Sequence, residues 1–180
     1  NQLIMETMRK LARQHELRLL FHEKPFMGMN GSGKHVNFSL EDSEGRNLLK
    51  PSTNHRKNIV FLSFLSSFIL GVSEYPGLLQ ASVSTPGNMY RLGGNEAPPY
   101  IISVYLGDTV AAMVHAIEEG GDDEGAHAKK TLDLGLPKLP DIVAFDSDRN
   151  RTSPVAFTGN KFEFRAPGSS QAIAVPTTAL

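Results

Sequence analysis

His35, Asn37 and Ser39 alternate with Val36, Phe38 and Leu40, the period of a half-buried strand. An imidazole, an amide and a hydroxyl then share one face, an arrangement suited to holding a ligand, although a solvated strand face has the same pattern. The segment just before it, Gly28-Met29-Asn30-Gly31-Ser32-Gly33-Lys34, fits G-x-x-x-x-G-K. A phosphate-binding P-loop needs Ser or Thr after the Lys and a helix to follow. Here His35 and a strand pattern follow instead, so both tests fail.

Three later segments also carry chemistry. RLGGNEAPP places Arg91 and Glu96 in one glycine-rich loop. Such a carboxylate can close over a bound cation and exclude water, or it can be an exposed loop charge. Asp148-Arg149-Asn150-Arg151 sets two guanidinium groups two residues apart. Their planar forks suit phosphate, or they pair with Asp146 and Asp148. In Lys161-Phe162-Glu163-Phe164-Arg165 the charged residues share one strand face and the two phenylalanines the other; the charges could bind ligands or pair with neighbours.

The elements that must position these groups are mixed. Apolar spacing predicts a helix over Leu3–His15 and a short strand over Leu17–Phe21. A strand over His35–Leu40 follows, then a buried core helix from about Lys57 to Ser73. A helix over Pro76–Ser84 starts on proline, as helices tolerate. Pro86–Pro99 reads as irregular and Ile101–Leu106 as a strand. A helix from Asp108 to about Glu119 ends on Gly120-Gly121. Residues 121–141 read as a surface excursion. Val155–Phe157 and Lys161–Arg165 make a hairpin around Thr158-Gly159-Asn160. The expected class is α+β.

Composition narrows the function classes. Of 180 residues, 40% are hydrophobic and 21% charged, with a net charge of −1 and no cysteine. That is an ordinary globular composition without the basic excess of a nucleic-acid binder. No thiolate site or cysteine nucleophile exists, so any metal falls to histidine and carboxylates. The longest apolar run, Ile59–Val72, is shorter than the roughly 20 residues that span a bilayer, so no membrane partner is expected. The chain starts at Asn1 and reads as an excerpt of a longer protein. The expected location is the cytoplasm, with any targeting peptide out of view.

NGSGKHVNFSL, preceded by an apolar run and Lys24-Pro25, resembles the loop-and-strand signature of glutamine synthetases. RLGGNEAPP and DRNRTSPVAFTGNKFEFRAPGSS resemble the type III, long-subunit branch in particular. The three segments stand in the family's order across Leu17 to Ser170. The resemblance implies part of a catalytic domain, with antiparallel strands lining the active site and helices packed outside. It implies the ligation of ammonia to L-glutamate with ATP through γ-glutamyl phosphate. By the same resemblance His35 and Glu163 are metal ligands for Mg²⁺ or Mn²⁺, an acceptable donor set for either. Asn30, Gly31, Gly33, Arg91 and Arg165 line the glutamate pocket. Asn37, Phe38, Ser39 and Lys161 line the nucleotide site. Glu96 is the flap glutamate, and Arg151 contacts the phosphates and the transferred phosphoryl group. A further arginine of other branches is replaced by Ala156.

The family's other metal-binding glutamates lie on strands before this segment. Its sites are completed by the N-terminal domain of a neighbouring subunit in a homo-oligomeric ring. The expectation is therefore that these 180 residues alone are inactive. Two other readings stand beside the synthetase: an inactive binding or assembly module with the same fold, and a ligase that joins glutamate to an amine other than ammonia.

Overall fold

The computed structural model describes residues 1–51, 55–93, 98, 100–118, 131–132, 142–143 and 153–180. Glu96, Arg151, the Gly120-Gly121 cap and most of 121–141 lie outside them. The class is α+β. In chain order the elements are α1 (Gln2–Gln14), β1 (Val36–Phe38), α2 (His55–Glu74), α3 (Pro76–Val83) and α4 (Pro86–Met89). Then come β2 (Val104–Tyr105), α5 (Asp108–Glu118), β3 (Thr131–Leu132), β4 (Ile142–Val143), β5 (Val155–Phe157), β6 (Phe162–Phe164) and α6 (Ala174–Ala179).

Four strands form one sheet in the order β1-β6-β5-β2. The β1–β6 and β6–β5 pairs are antiparallel, but β2 runs parallel to β5. The expected antiparallel sheet is therefore mixed, because β2 arrives on the far edge through a long connection and not through a hairpin. The β5–β6 hairpin forms as expected. Thr158 N–H donates to Lys161 O at 2.9 Å, and Gly159 takes a φ of +93°, a conformation glycine adopts without strain.

The core lies between the sheet and α2, α3 and α5. Phe61, Leu65, Leu79, Val83, Met113, Val155, Phe157, Phe162 and Phe164 are all buried there. Phe38, Phe68 and Phe162 stack in series, with Phe68 and Phe162 centroids 4.0 Å apart. Each fully buried side chain of this size stabilises the fold by about 1.5–3 kcal/mol, so β6 is anchored mainly by its two phenylalanines.

Several expectations need correction. α2 is not buried all round: Phe61, Leu65 and Val72 face the core, while Ile59, Val60 and Leu70 are exposed. Its serines fit the helix because Ser63 Oγ donates to Ile59 O and Ser67 Oγ to Ser63 O, the i−4 back-bonding open to them. Residues 17–21 form no strand, and Leu17 and Leu20 are exposed. The segment expected to be irregular contains α4, where Pro86 fits the first helical position and the Thr85 side chain caps Asn88 N–H. The strand expected over 101–106 shortens to β2. Thr131 and Leu132, within the stretch 121–141, pair with Val143 and Ile142 just beyond it. The C-terminal α6, six residues long with Pro176 inside it, has no apolar repeat to announce it. Among the described residues no single helix is long and apolar enough to cross a membrane.

Candidate active site: a histidine and a glutamate on paired strands

Three positions meet on the sheet face opposite the phenylalanines. The register pairs Asn37 with Glu163 across β1–β6 and Glu163 with Ala156 across β6–β5. Directly paired residues share a face, so Asn37, Glu163 and Ala156 form one row. His35 and Arg165 sit two positions further along the same face.

Within this group His35 Nδ1 lies 2.7 Å from Glu163 Oε1, and Arg165 Nε donates to Glu163 Oε2 at 3.0 Å. The Glu163 side chain is 17% exposed and that of His35 47%. Burial pushes the Glu163 carboxyl up, but the hydrogen bonds and charges of Arg165 and His35 outweigh it. The group is held below the usual carboxylate range and stays deprotonated at neutral pH. Ala156 is fully buried in the same row, directly paired with Glu163.

A divalent cation fits the chemistry of this pair. A neutral imidazole nitrogen and a deprotonated carboxylate oxygen are both acceptable ligands. Adjacent ligands on an octahedral Mg²⁺ stand about 3.0 Å apart, so the 2.7 Å pair needs to open only slightly. Among the described residues no group of three histidine or acidic side chains is placed to hold a metal. By themselves His35 and Glu163 supply two donors, fewer than the six or more ligands such a cation takes.

Arg91 packs beneath the glycine loop. Its Nη1 donates to Asn88 Oδ1 at 2.9 Å and its Nη2 to Arg165 O at 3.3 Å. A Cβ on Gly33 would overlap this guanidinium, and one on Gly31 would overlap Glu23 O. Backbone opposes Gly31, so glycine is required there for close approach, whereas a side chain at Gly33 would displace the Arg91 guanidinium. Arg91 and Arg165 are 4% and 5% exposed, so both cations are packed under the surface. Asn30 lies exposed on the loop.

Asn37 is exposed beside Glu163. β1 ends at Phe38, so Ser39 does not continue the expected face of His35 and Asn37: it lines a cavity of about 380 Å³ with Phe38, Phe64, Ser67, Phe68 and Phe162. Lys161, on the Glu163 face, is half-buried. Lys34 turns away toward the C-terminal segment, where its Nζ contacts Met5 Sδ at 3.1 Å and Gln171 O. Burial lowers its pKa, the charge of Arg9 adds to that, and Glu23 opposes it.

Reading the sequence missed Glu23, Thr85 and Asn88. Asn88 is fully buried and donates to Val83 O and Ala166 O at 2.9 and 2.8 Å, while its oxygen receives Arg91. The only local signal for Glu23 was an acidic residue wedged between an apolar run and Lys24-Pro25.

Comparison with known proteins gives the family. The glutamine synthetase catalytic domain matches residues 1–117. A glutamine synthetase of Bacteroides fragilis (strain YCH46) is 48% identical over 172 residues, covering 94% of this chain and 24% of the relative. A type-3 glutamine synthetase of Dictyostelium discoideum is 47% identical over 180 residues, covering 100% and 24%. A glutamine synthetase of Butyrivibrio fibrisolvens is 49% identical over 172 residues, covering 96% and 24%. The chain thus spans about a quarter of the length of these curated relatives. With the domain match covering well over half of its residues, this chain belongs to the glutamine synthetase catalytic-domain family.

Proposed function

We propose that the protein carrying this chain joins ammonia to L-glutamate with ATP, through γ-glutamyl phosphate. The observation that carries this reading is the His35–Glu163–Arg165 cluster on β1 and β6 in a member of this family. Relatives named glutamine synthetase support the activity.

Each residue has a task on this reading. His35 Nδ1 and Glu163 Oε1 hold a Mg²⁺ or Mn²⁺ ion, which when bound neutralises phosphate charge. Arg165 keeps the Glu163 carboxyl oriented and charged through its 3.0 Å bond. Arg91, packed against Gly33, and Arg165, beside Glu163, supply positive charge for the substrate carboxylate, with Asn30 and Gly31 on the glycine loop. Asn37, Phe38, Ser39 and Lys161 serve the nucleotide. Arg151 holds the transferred phosphoryl group, and Glu96 closes the site so that ammonia, not water, attacks the acyl phosphate. In that step the nitrogen forms the C–N bond and inorganic phosphate leaves. Completion of the metal set and of the pocket falls to other parts of the parent chain and to neighbouring subunits of a homo-oligomer. The 180 residues alone are then inactive.

The test is phosphate release from ATP by the full-length parent with glutamate and ammonium, beside His35→Ala and Arg151→Ala. Release that requires both substrates and falls by at least a thousandfold in each variant supports the reading. An assembled but inactive parent would point to a binding module. Turnover with small amines but not ammonium would point to a different γ-glutamyl ligase, and activity untouched by His35→Ala would sink the metal pair.

A further inference from the structure

Glu23 belongs to neither the cation pair nor the nucleotide face, yet it is 2% exposed. Three segments converge on it. Its main-chain oxygen accepts from Ser32 N–H at 2.8 Å, closing the neck of the glycine loop that carries Asn30 and Gly31. Its Oε1 accepts from Thr85 Oγ1 at 2.9 Å and from Ser169 N–H at 2.8 Å. Ser169 Oγ donates in turn to Ser32 O at 2.6 Å, which completes a ring of bonds through Glu23, Ser169 and Ser32.

Two glycines make room for this carboxyl group. A Cβ on Gly87 would overlap Glu23 Oε2, and one on Gly168 would overlap Oε1. The converging segments carry the described residues of the glutamate pocket. The loop holds Asn30, Gly31 and Gly33, Thr85 caps the helix that leads to Arg91, and Ser169 lies four residues after Arg165. An apolar replacement would leave the Thr85 hydroxyl and the Ser169 N–H without this acceptor, in a place where water has little access.

We infer that Glu23 is a positioning residue for the glutamate pocket, holding the glycine loop in register with Arg91 and Arg165. This rests on the ligase reading above. It touches no reacting atom, so its effect belongs in glutamate binding and not in nucleotide binding.

The experiment is steady-state kinetics of the full-length parent, with L-glutamate and ATP varied separately, for wild type and the Glu23→Ala, Glu23→Gln, Thr85→Val and Thr85→Ser variants. Glu23→Ala should raise the glutamate KM at least tenfold while the ATP KM stays within twofold. Glu23→Gln, which keeps an acceptor oxygen, should fall between wild type and Glu23→Ala. Thr85→Val should raise the glutamate KM several-fold, and Thr85→Ser, which keeps the hydroxyl, should recover most of it. The threonine pair keeps the test decisive if Glu23→Ala does not fold. Glutamate and ATP KM rising together, or equal glutamate KM in Thr85→Val and Thr85→Ser, would overturn the positioning role alone. A wild-type parent without glutamate- and ammonium-dependent phosphate release would overturn the ligase reading and this inference with it.

Discussion

Glu163 receives Arg165 on one oxygen and meets His35 on the other, and these contacts outweigh the effect of partial burial on its charge. The folded carboxyl is therefore harder to protonate than the unfolded one. The resulting stability is fully present above the unfolded pKa, about 4.3, and is lost as pH falls through the lower folded value. Glu163→Gln has no such titration. Urea midpoints of the parent and this variant should therefore converge between pH 6 and pH 3, and parallel curves would refute the assignment. Gly31→Ala forces a methyl onto Glu23 O and should cost about 1–3 kcal/mol, in the range of overpacking, read as a lowered Tm. The residue types at His35 and Glu163 were legible from strand alternation and from the family signature. Their meeting was legible only through that signature, which makes both metal ligands, since no local pattern links residues 128 apart. Glu23 was less legible still. Thr85 and Ser169 lie 62 and 146 residues away from it, and no local pattern encodes such a meeting.

Among the elements, β6 has the greatest leverage, because one face of a three-residue strand holds Glu163 and the other face two buried phenylalanines. Phe162→Ala should destabilise by about 3–5 kcal/mol, measured by denaturant unfolding of the parent. The activity it retains below its own Tm would report how firmly β1 and β5 alone hold Glu163. The longer helices were readable because their apolar spacing repeats over several turns. α2, α3 and α5 all start within two residues of the expected positions. Two- and three-residue strands offer no such repeat, so β2 was drawn too long, β3 was absorbed into an excursion, and β4 just beyond it carried no signal. α4 was hidden by its glycine, asparagine and proline content. Its proline sits where a helix tolerates it and its cap is a threonine side chain, so position mattered more than composition.

Across the whole molecule, apolar surface is distributed unevenly. Leu3, Ile4, Met8 and Leu11 are 80%, 64%, 43% and 49% exposed on α1, at the three-to-four residue spacing of one helix face. Ile59, Val60 and Leu70 add further exposed area on α2. Contiguous exposure of this kind promotes association. The isolated 180-residue chain should self-associate as its concentration rises, seen by light scattering coupled to size exclusion. Leu3→Lys with Ile4→Lys should reduce that association, and an unchanged mass distribution would show that α1 is not responsible.

The strand order also has a consequence for the order of synthesis. β1 leaves the ribosome before its sheet partner β6, which lies beyond the long connection through α2 to β5. With 128 residues between His35 and Glu163 and elongation of about 5–20 residues per second, the histidine waits roughly 6–26 s for its partner. Throughout that interval β1 is a nascent edge, with Val36 and Phe38 not yet covered by β6 and the phenylalanine stack. Such an unpaired edge is a ready template for pairing with another chain, so translation opens an interval in which β1 is exposed to misassembly.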